Sequence, residues 1–166
     1  MNEKLDVELL EDNNIENQEH FLKAILLGIL VSIGCAVLHS LFIYLLDYSY
    51  NIAALFAYPV IGGVIAEAIK RFGKGTTLKF SIVSAILTLL CFFLSDILTS
   101  LIFLADYAGS NGATFSDFIA SIFSDFHLFW EFFIAFNYID VNTFAIIVYI
   151  FQLIGIIVGF LTIKKK

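Results

Sequence analysis

Charged residues are scarce in this chain. Asp, Glu, Lys and Arg make up 14% of its 166 residues, whereas hydrophobic residues make up 60%. Soluble domains contain about 25% charged and roughly 45–50% apolar residues, so the composition excludes an ordinary water-soluble fold. Only nine residues are Lys or Arg, and they are scattered along a hydrophobic chain rather than clustered as nucleic-acid binding requires. We therefore predict an integral membrane protein that does not bind nucleic acid.

Residues that carry redox or metal chemistry are also few. The two cysteines, Cys35 and Cys91, form no C-x-x-C pair, and burial in apolar surroundings disfavours the reactive thiolate. The three histidines are far from one another in the sequence, which argues against a zinc site. The chain also lacks G-x-S-x-G and H-E-x-x-H motifs. We predict no catalytic residue, no cofactor and no metal, and a protein that is not an enzyme.

Four apolar runs are long enough to cross the hydrocarbon core of a bilayer. That core is about 30 Å thick and needs about 20 helical residues. The predicted spans are 21–46, 52–69, 78–104 and 143–163. The second span is the shortest and contains the only proline, Pro59, which we expect to bend the helix. The predicted fold is an all-α integral membrane protein with four transmembrane helices.

The positions of the charges predict the orientation. Seven of the fifteen acidic residues lie in the first 19 positions, which predicts an acidic tail over 1–20. This tail lacks the basic start of a signal peptide, so we expect it to be retained. All nine Lys and Arg lie before or at the start of the first span, between the second span and the start of the third, or in 164–166. Because such residues in short loops stay in the cytoplasm, both termini are predicted to be cytoplasmic.

The loop between the last two spans, 105–142, is long enough to have structure of its own. Residues 105–113 contain two glycines and are expected to be irregular. Thr114 and Asp117 have the spacing of a capping box at a helix start. From Thr114 onward, apolar residues recur at the spacing of one helix face, with Ser and Asp opposite. We predict an outer interfacial segment over 114–136. It begins with an amphipathic helix and continues as an aromatic stretch along the membrane surface or over the outer end of the bundle.

Small residues mark the faces on which the spans should pack, since helices in lipid associate through close backbone approach. We interpret them as contacts within one chain. For the G-x-x-x-G pair of the last span, a contact between two copies of the chain is the alternative. The residues predicted at helix contacts are Gly28, Ser32, Ala36, Gly62, Gly63, Gly155 and Gly159.

Four polar residues within the spans form the candidate site. His39 and Asp96 are expected at a similar depth toward the outer end, where they could pair. Such a pair would be either a proton- or ion-responsive site or a structural contact. Glu67 has helical spacing to the two basic residues that follow, which favours a salt bridge over a carboxylate at a pore mouth. Gln152 lies in the middle of the last span and is expected to bond to a neighbouring helix.

The stretch over residues 62–85 includes a basic R-F-G-K-G turn followed by a third span entered through Lys-Phe. It resembles a family of small, uncharacterised bacterial four-span membrane proteins. The likeness is strongest over 62–98 and looser over 20–155, and Pro59 and Glu67 depart from the family pattern. The resemblance implies a multi-pass protein of the bacterial cytoplasmic (inner) membrane and brings no catalytic activity.

These observations favour a non-enzymatic structural, accessory or partner-binding subunit of the membrane. The alternative is an oligomeric ion or proton channel, or a small-solute transporter, in which His39 and Asp96 line the route. The expected partners are the lipid bilayer and either further copies of the chain or another membrane protein.

Overall fold

The computed structural model describes residues 2–46, 52–73, 77–134 and 143–164. Within these ranges the chain is almost entirely α-helical and contains no strand. The all-α prediction is therefore confirmed. The helices of the described residues are α1 Asn2–Leu45, α2 Ile52–Gly73, α3 Leu78–Ser110, α4 Phe115–Ser124, α5 Phe126–Ile134 and α6 Thr143–Lys164.

Three segments of the described chain are long and apolar enough to cross a membrane. They are His20–Leu45 in α1, Leu78–Ser110, which is the whole of α3, and Ile146–Lys164 in α6. These segments coincide with three of the predicted spans and indicate a membrane protein. The remaining predicted span, 52–69, lies in α2, which is not among these segments, so a fourth crossing stays a prediction.

α1 and α3 lie side by side and run in the same direction. Near the starts of their apolar segments, the rings of Phe21 and Phe80 meet edge to face, with centroids 5.3 Å apart. Toward their other ends Tyr44 and Phe103 meet in the same way at 5.7 Å. Because both contacts join equivalent heights, the two helices are parallel.

α2 and α6 run in the opposite direction. α2 is antiparallel to α1, since Gly28 lies beside Ile69. α6 is antiparallel to α3, since Ser84 in the first half of α3 donates a hydrogen bond of 3.0 Å to the carbonyl of Gly159 in the second half of α6. The start of α3 and the ends of α2 and α6 therefore lie at one end of the molecule. The basic residues whose side chains the structure describes all lie at this end: Lys23, Lys70, Arg71, Lys79 and Lys164.

The core between α1, α2, α3 and α6 combines apolar and small polar side chains. Ile65, Ile69 and Phe92 are among its largest fully buried members. A row of buried hydroxyl groups follows α3 along its length, and its members are Ser81, Ser84, Thr88, Ser95 and Thr99. Small side chains allow the helices to approach closely. In lipid no hydrophobic force drives helices together, so they associate through such close packing.

α3 extends further than predicted. Residues 105–110, expected to be irregular, continue the helix to Ser110. The helix stops where Gly112 takes a left-handed conformation with φ of 82°, and the N–H of Ala113 donates to the carbonyl of Ala108 at 3.0 Å. This is a Schellman ending. The prediction was wrong because Gly109 was taken as a helix break, although it lies within α3. The helix ends at the later glycine, Gly112.

α4 begins with the capping arrangement that the sequence predicts. The N–H of Asp117 donates to Thr114 Oγ1 at 3.2 Å, and the N–H of Thr114 donates to Asp117 Oδ2 at 3.1 Å. The two residues thus satisfy each other's backbone donors, as in a capping box. The hydrogen bonds from the side chain and backbone of Thr114 lower the pKa of Asp117.

α5 contacts α3 through an aromatic ring. Phe133 is only 1% exposed, and its ring meets that of Phe93 edge to face at 5.9 Å. Phe93 is near the middle of α3, so this ring of α5 packs against the middle of that helix. The interfacial position of the segment over 114–136 stays a prediction.

Candidate functional site

His39 joins three helices. It lies on α1, where it is 3% exposed, and its Nδ1 shares a hydrogen bond of 2.8 Å with Ser95 Oγ on α3. Its ring packs edge to face on Tyr58 of α2, with centroids 4.7 Å apart. Nε2 is buried and has no hydrogen-bond partner among the described residues. The backbone of Ala54 lies near the ring but not in hydrogen-bond geometry with Nε2.

Asp96 follows Ser95 in the chain but faces a different helix. Its Oδ2 accepts a hydrogen bond from Gln152 Nε2 on α6 at 3.4 Å. Consecutive residues of an α-helix point about 100° apart, so Ser95 turns toward α1 while Asp96 turns toward α6. His39 and Asp96 lie at the same level, as expected, but each bonds to a different partner. Equal depth along a helix does not give the direction in which a side chain points.

Gln152 bonds to a neighbouring helix, as its position in the middle of α6 predicts. Tyr149 lies one turn away on the same helix and interacts electrostatically with Asp96. No Lys or Arg occurs between residues 24 and 69 or between 80 and 163. The surroundings of the Asp96 carboxyl group therefore contain polar groups but no strongly basic side chain at its depth.

Glu67 belongs to a separate contact. Its Oε1 lies 2.9 Å from Arg71 Nε, one helical turn further along α2. Arg71 is largely exposed and Glu67 is half-buried, and both lie at the basic end of the molecule. The spacing of the two residues predicts this ion pair, which lies away from His39 and Asp96.

Glycines bring α2 and α6 into backbone contact. A Cβ atom on Gly62 would collide with the carbonyl group of Gly155. A Cβ atom on Gly155 would lie 2.6 Å from the carbonyl oxygen of Tyr58, and one on Gly159 would lie 3.2 Å from that of Gly62. Both glycines of the G-x-x-x-G pair thus serve contacts within the chain. Gly63 is less crowded, since a Cβ atom there would lie 3.8 Å from Val158.

The predicted contact face of α1 is also buried. A Cβ atom on Gly28 would lie 2.7 Å from Leu87 Cδ1 on α3 and 3.0 Å from Ile69 Cγ1 on α2. Ser32 and Ala36, which follow Gly28 at four-residue intervals, are both buried. This face therefore packs against two helices at once.

Half of the eight buried Ser and Thr hydroxyl groups bond within their own helix. Ser32, Thr88 and Ser100 each donate to a carbonyl four residues earlier, at 2.8–2.9 Å. Ser84 donates across to α6, and Ser95 bonds across to α1. Ser95 is the partner of His39 that sequence reasoning missed. Its only signal in the sequence is its small side chain on the face of α3 that carries the buried hydroxyl groups, and small residues indicate packing rather than a hydrogen bond.

The cysteines and the potential metal ligands form no other candidate site in the part of the chain that the structure describes. Cys91 is buried, Cys35 is half-buried, and both are free thiols. Within the described ranges, no group of three or more His, Cys, Asp or Glu residues could hold a metal ion. The polar contacts of His39 and Asp96 are therefore the candidate site. Comparison with protein-family models, curated proteins and solved structures gave no match.

Proposed function

We propose that the protein is a four-span subunit of the bacterial inner membrane that acts as a structural or partner-binding element rather than as an enzyme. The observation that carries this proposal is the direct contact of α2 with α6 at Gly62 and Gly155. Together with the seam between α1 and α3, this contact makes a compact unit whose interior is occupied by its own side chains. The resemblance of residues 62–98 to small bacterial four-span proteins agrees with it.

The fourth crossing is supported by the length and position of α2. Its 22 residues measure about 33 Å, enough to cross a hydrocarbon core. It packs against α1, α3 and α6, so neighbouring helices cover the backbone near Pro59. The ion pair between Glu67 and Arg71 lies at the basic end. On the positive-inside rule, that end and both termini face the cytoplasm.

The segment between α3 and α6 belongs on the outer side in this arrangement. Thr114 and Asp117 at the start of α4 are exposed, whereas Phe118 on the same helix is buried. Phe123 is 84% exposed, and an exposed aromatic ring at this position suits the lipid interface. α4 would then be the interfacial helix through which the subunit meets lipid or a partner.

A non-transporting role is supported by the way the interior polar groups are used. A pore needs polar residues that converge on one axis. Ser95 instead bonds to His39, Ser84 bonds to the backbone of Gly159, and Thr88 bonds within its own helix. The contacts of Ser95 and Ser84 hold helices together, and that of Thr88 satisfies its own hydroxyl group.

Topology labelling and flux measurements test this proposal together. Tags at residues 1 and 166 should both be labelled only after the inner membrane of intact cells is permeabilised. Purified protein in liposomes should give proton and potassium leakage equal to that of empty liposomes. Labelling of the two tags from opposite sides would contradict the four-span arrangement. Leakage that disappears in Asp96→Asn would contradict the structural role.

A further inference from the structure

Asp96 lies within an apolar helix, far from the basic end of the molecule. It follows Leu78 by 18 residues and precedes Ser110 by 14, in a segment that is long and apolar enough to cross a membrane. An ionised carboxylate at such a depth is costly unless a cation neutralises it. Residues 24–69 and 80–163 contain no Lys or Arg, so the spans carry no strongly basic side chain at the depth of Asp96.

The groups next to the carboxyl group of Asp96 supply no positive charge. Tyr149 of α6 and Cys91 of α3 interact with it electrostatically, and phenol and thiol groups are ordinarily neutral at neutral pH. On α1, His39 lies at the same level, but its Nδ1 bonds to Ser95. The carboxyl group is therefore not neutralised from these helices.

The other ionisable side chains on the helices around α3 have different neighbours. Tyr58 of α2 packs on the rings of His39 and Phe92, and Tyr44 of α1 bonds to Asp106 further along α3. The charged groups described on these helices lie at the basic end or are exposed on α4 and α5. They are Lys23, Glu67, Lys70, Arg71, Lys79, Lys164, Asp117, His127 and Glu131.

Gln152 is the polar partner that Asp96 meets across the contact between α3 and α6. Its Nε2 lies 3.4 Å from Asp96 Oδ2, which is long for a hydrogen bond. A carboxylate can only accept hydrogen bonds, whereas a carboxylic acid both donates and accepts, as an amide does. The acid form of Asp96 therefore matches the amide of Gln152, and the ionised form offers it no donor.

We propose that Asp96 is a proton-binding site whose occupancy controls the contact between α3 and α6 at Gln152. The carboxyl group carries the proton while it lies against the amide, because an uncompensated charge in apolar surroundings is unfavourable. When the proton leaves, the carboxylate requires water or a cation, and the contact loosens. The ligand is a proton alone, so the two side chains are sufficient to form the site.

A lipid-soluble carbodiimide reports a protonated carboxyl group. The acid proton moves to one nitrogen of dicyclohexylcarbodiimide, and the carboxyl oxygen bonds to the central carbon. The acyl group then migrates from this oxygen to the other nitrogen and gives an N-acylurea, which contains all the atoms of the two reactants. A carboxylate without its proton does not undergo the first step.

Labelling of the full-length protein in liposomes tests the site. Mass spectrometry of wild-type protein treated at neutral pH should show one carbodiimide adduct per chain, and peptide mapping should place it on Asp96. The labelling rate should fall about tenfold per pH unit once the carboxyl group ionises in alkaline buffer. Asp96→Asn should abolish the adduct. Asp106→Asn is the matched control, because Asp106 is an exposed carboxylate on the same helix, and it should be labelled as the wild type is.

Amide exchange tests the effect of the proton on the contact. Asp96→Asn imitates the protonated side chain, since its amide also donates and accepts. Protection around Gln152 should be equal in this variant and the wild type at neutral pH. At the alkaline pH where the wild type is no longer labelled, protection should be lower in the wild type than in the variant measured under the same conditions.

Three outcomes would overturn the proposal. They are the absence of an adduct on Asp96 in the wild type, labelling that does not decline in alkaline buffer, and equal protection of the two proteins after labelling is lost. If Asp96→Asn does not fold, the peptide map and the pH profile of the wild type decide alone. The site depends on the contact between α3 and α6 and not on the crossing of α2, and labelling is measured separately from topology and flux. Failure of this proposal therefore leaves the function proposed above standing, and the reverse also holds.

Discussion

His39 shows how one buried side chain can join helices that are far apart in sequence. Its imidazole bonds to Ser95 on α3 and packs on Tyr58 of α2, so a single ring sets the spacing of three helices. A hydrogen bond between helices in lipid typically contributes about 0.6 kcal/mol and up to about 2 kcal/mol. Because the ring is buried, loss of the partner also leaves a polar nitrogen without compensation.

Ser95→Ala should therefore destabilise the protein. We expect the free energy of unfolding to fall by about 1 kcal/mol, measured by unfolding in mixed detergent micelles. Ser81→Ala is the matched control, because Ser81 is equally buried on the same helix and its hydroxyl has no hydrogen-bond partner among the described residues. Equal stability of the two variants would contradict the role given to the bond between His39 and Ser95.

At the scale of the elements, the contact between α2 and α6 depends on glycine. Gly62→Ala places a methyl group against the backbone of Gly155, where no side-chain rotation can relieve the clash. Such overpacking typically costs about 1–3 kcal/mol, and we expect a loss of this size in detergent unfolding.

Gly34→Ala provides the comparison for that substitution. Gly34 lies on α1, and a Cβ atom added there would have nothing within 4 Å, so the new methyl group meets open space. Alanine is a better helix former than glycine by roughly 0.5–1 kcal/mol, and this variant should be as stable as the wild type or more so. Equal losses for the two variants would show that α2 and α6 do not meet at Gly62.

The start of α4 should respond to acid. Hydrogen bonds from Thr114 hold the pKa of Asp117 below its ordinary value, so the ionised form is the one that the folded cap favours. A lowered pKa stabilises the cap at pH values above the unfolded value of about 3.9, and the effect is lost as the pH falls through the folded pKa. Amide-exchange protection in the first turn of α4 should therefore be constant from neutral pH to about 4 and decrease below it.

A substitution separates this effect from general acid unfolding. Asp117→Asn retains a side-chain oxygen at the cap but cannot ionise, so protection in α4 should no longer depend on acid. Asp106→Asn removes an exposed carboxylate elsewhere and should leave the acid response unchanged. Protection that persists at pH 2 in the wild type would contradict the cap described here.

The features that could be predicted from the sequence are those whose signal lies within one segment of the chain. The apolar runs of α1, α3 and α6, the capping pair of α4 and the ion pair of Glu67 each follow from composition or spacing along one helix. The partner of His39 and the contact of α5 with α3 do not. Both depend on the rotation of one helix relative to another, and a single sequence contains no information on that angle.

At the scale of the whole molecule, the position of Trp130 reports the depth of α5. It is the only tryptophan in the chain, and it lies beside Phe133, which contacts the middle of α3. In vesicles, a nitroxide on the middle of the lipid acyl chain should quench its fluorescence more than a nitroxide on the headgroup. Trp130→Phe combined with Tyr107→Trp moves the fluorophore to the exposed end of α3 and should reverse the order. Stronger headgroup quenching in the wild type would place α5 at the surface.

α3 is longer than a bilayer requires. Its 33 residues measure about 50 Å, about 20 Å more than the hydrocarbon core. The chain turns back at Gly112 and returns far enough for Phe133 to reach Phe93. The rings of Phe133 and Phe93 thus join α5 to α3, whereas the bonds between Thr114 and Asp117 close only the first turn of α4. Force applied to α5 would therefore be transmitted to the middle of α3 through these two rings.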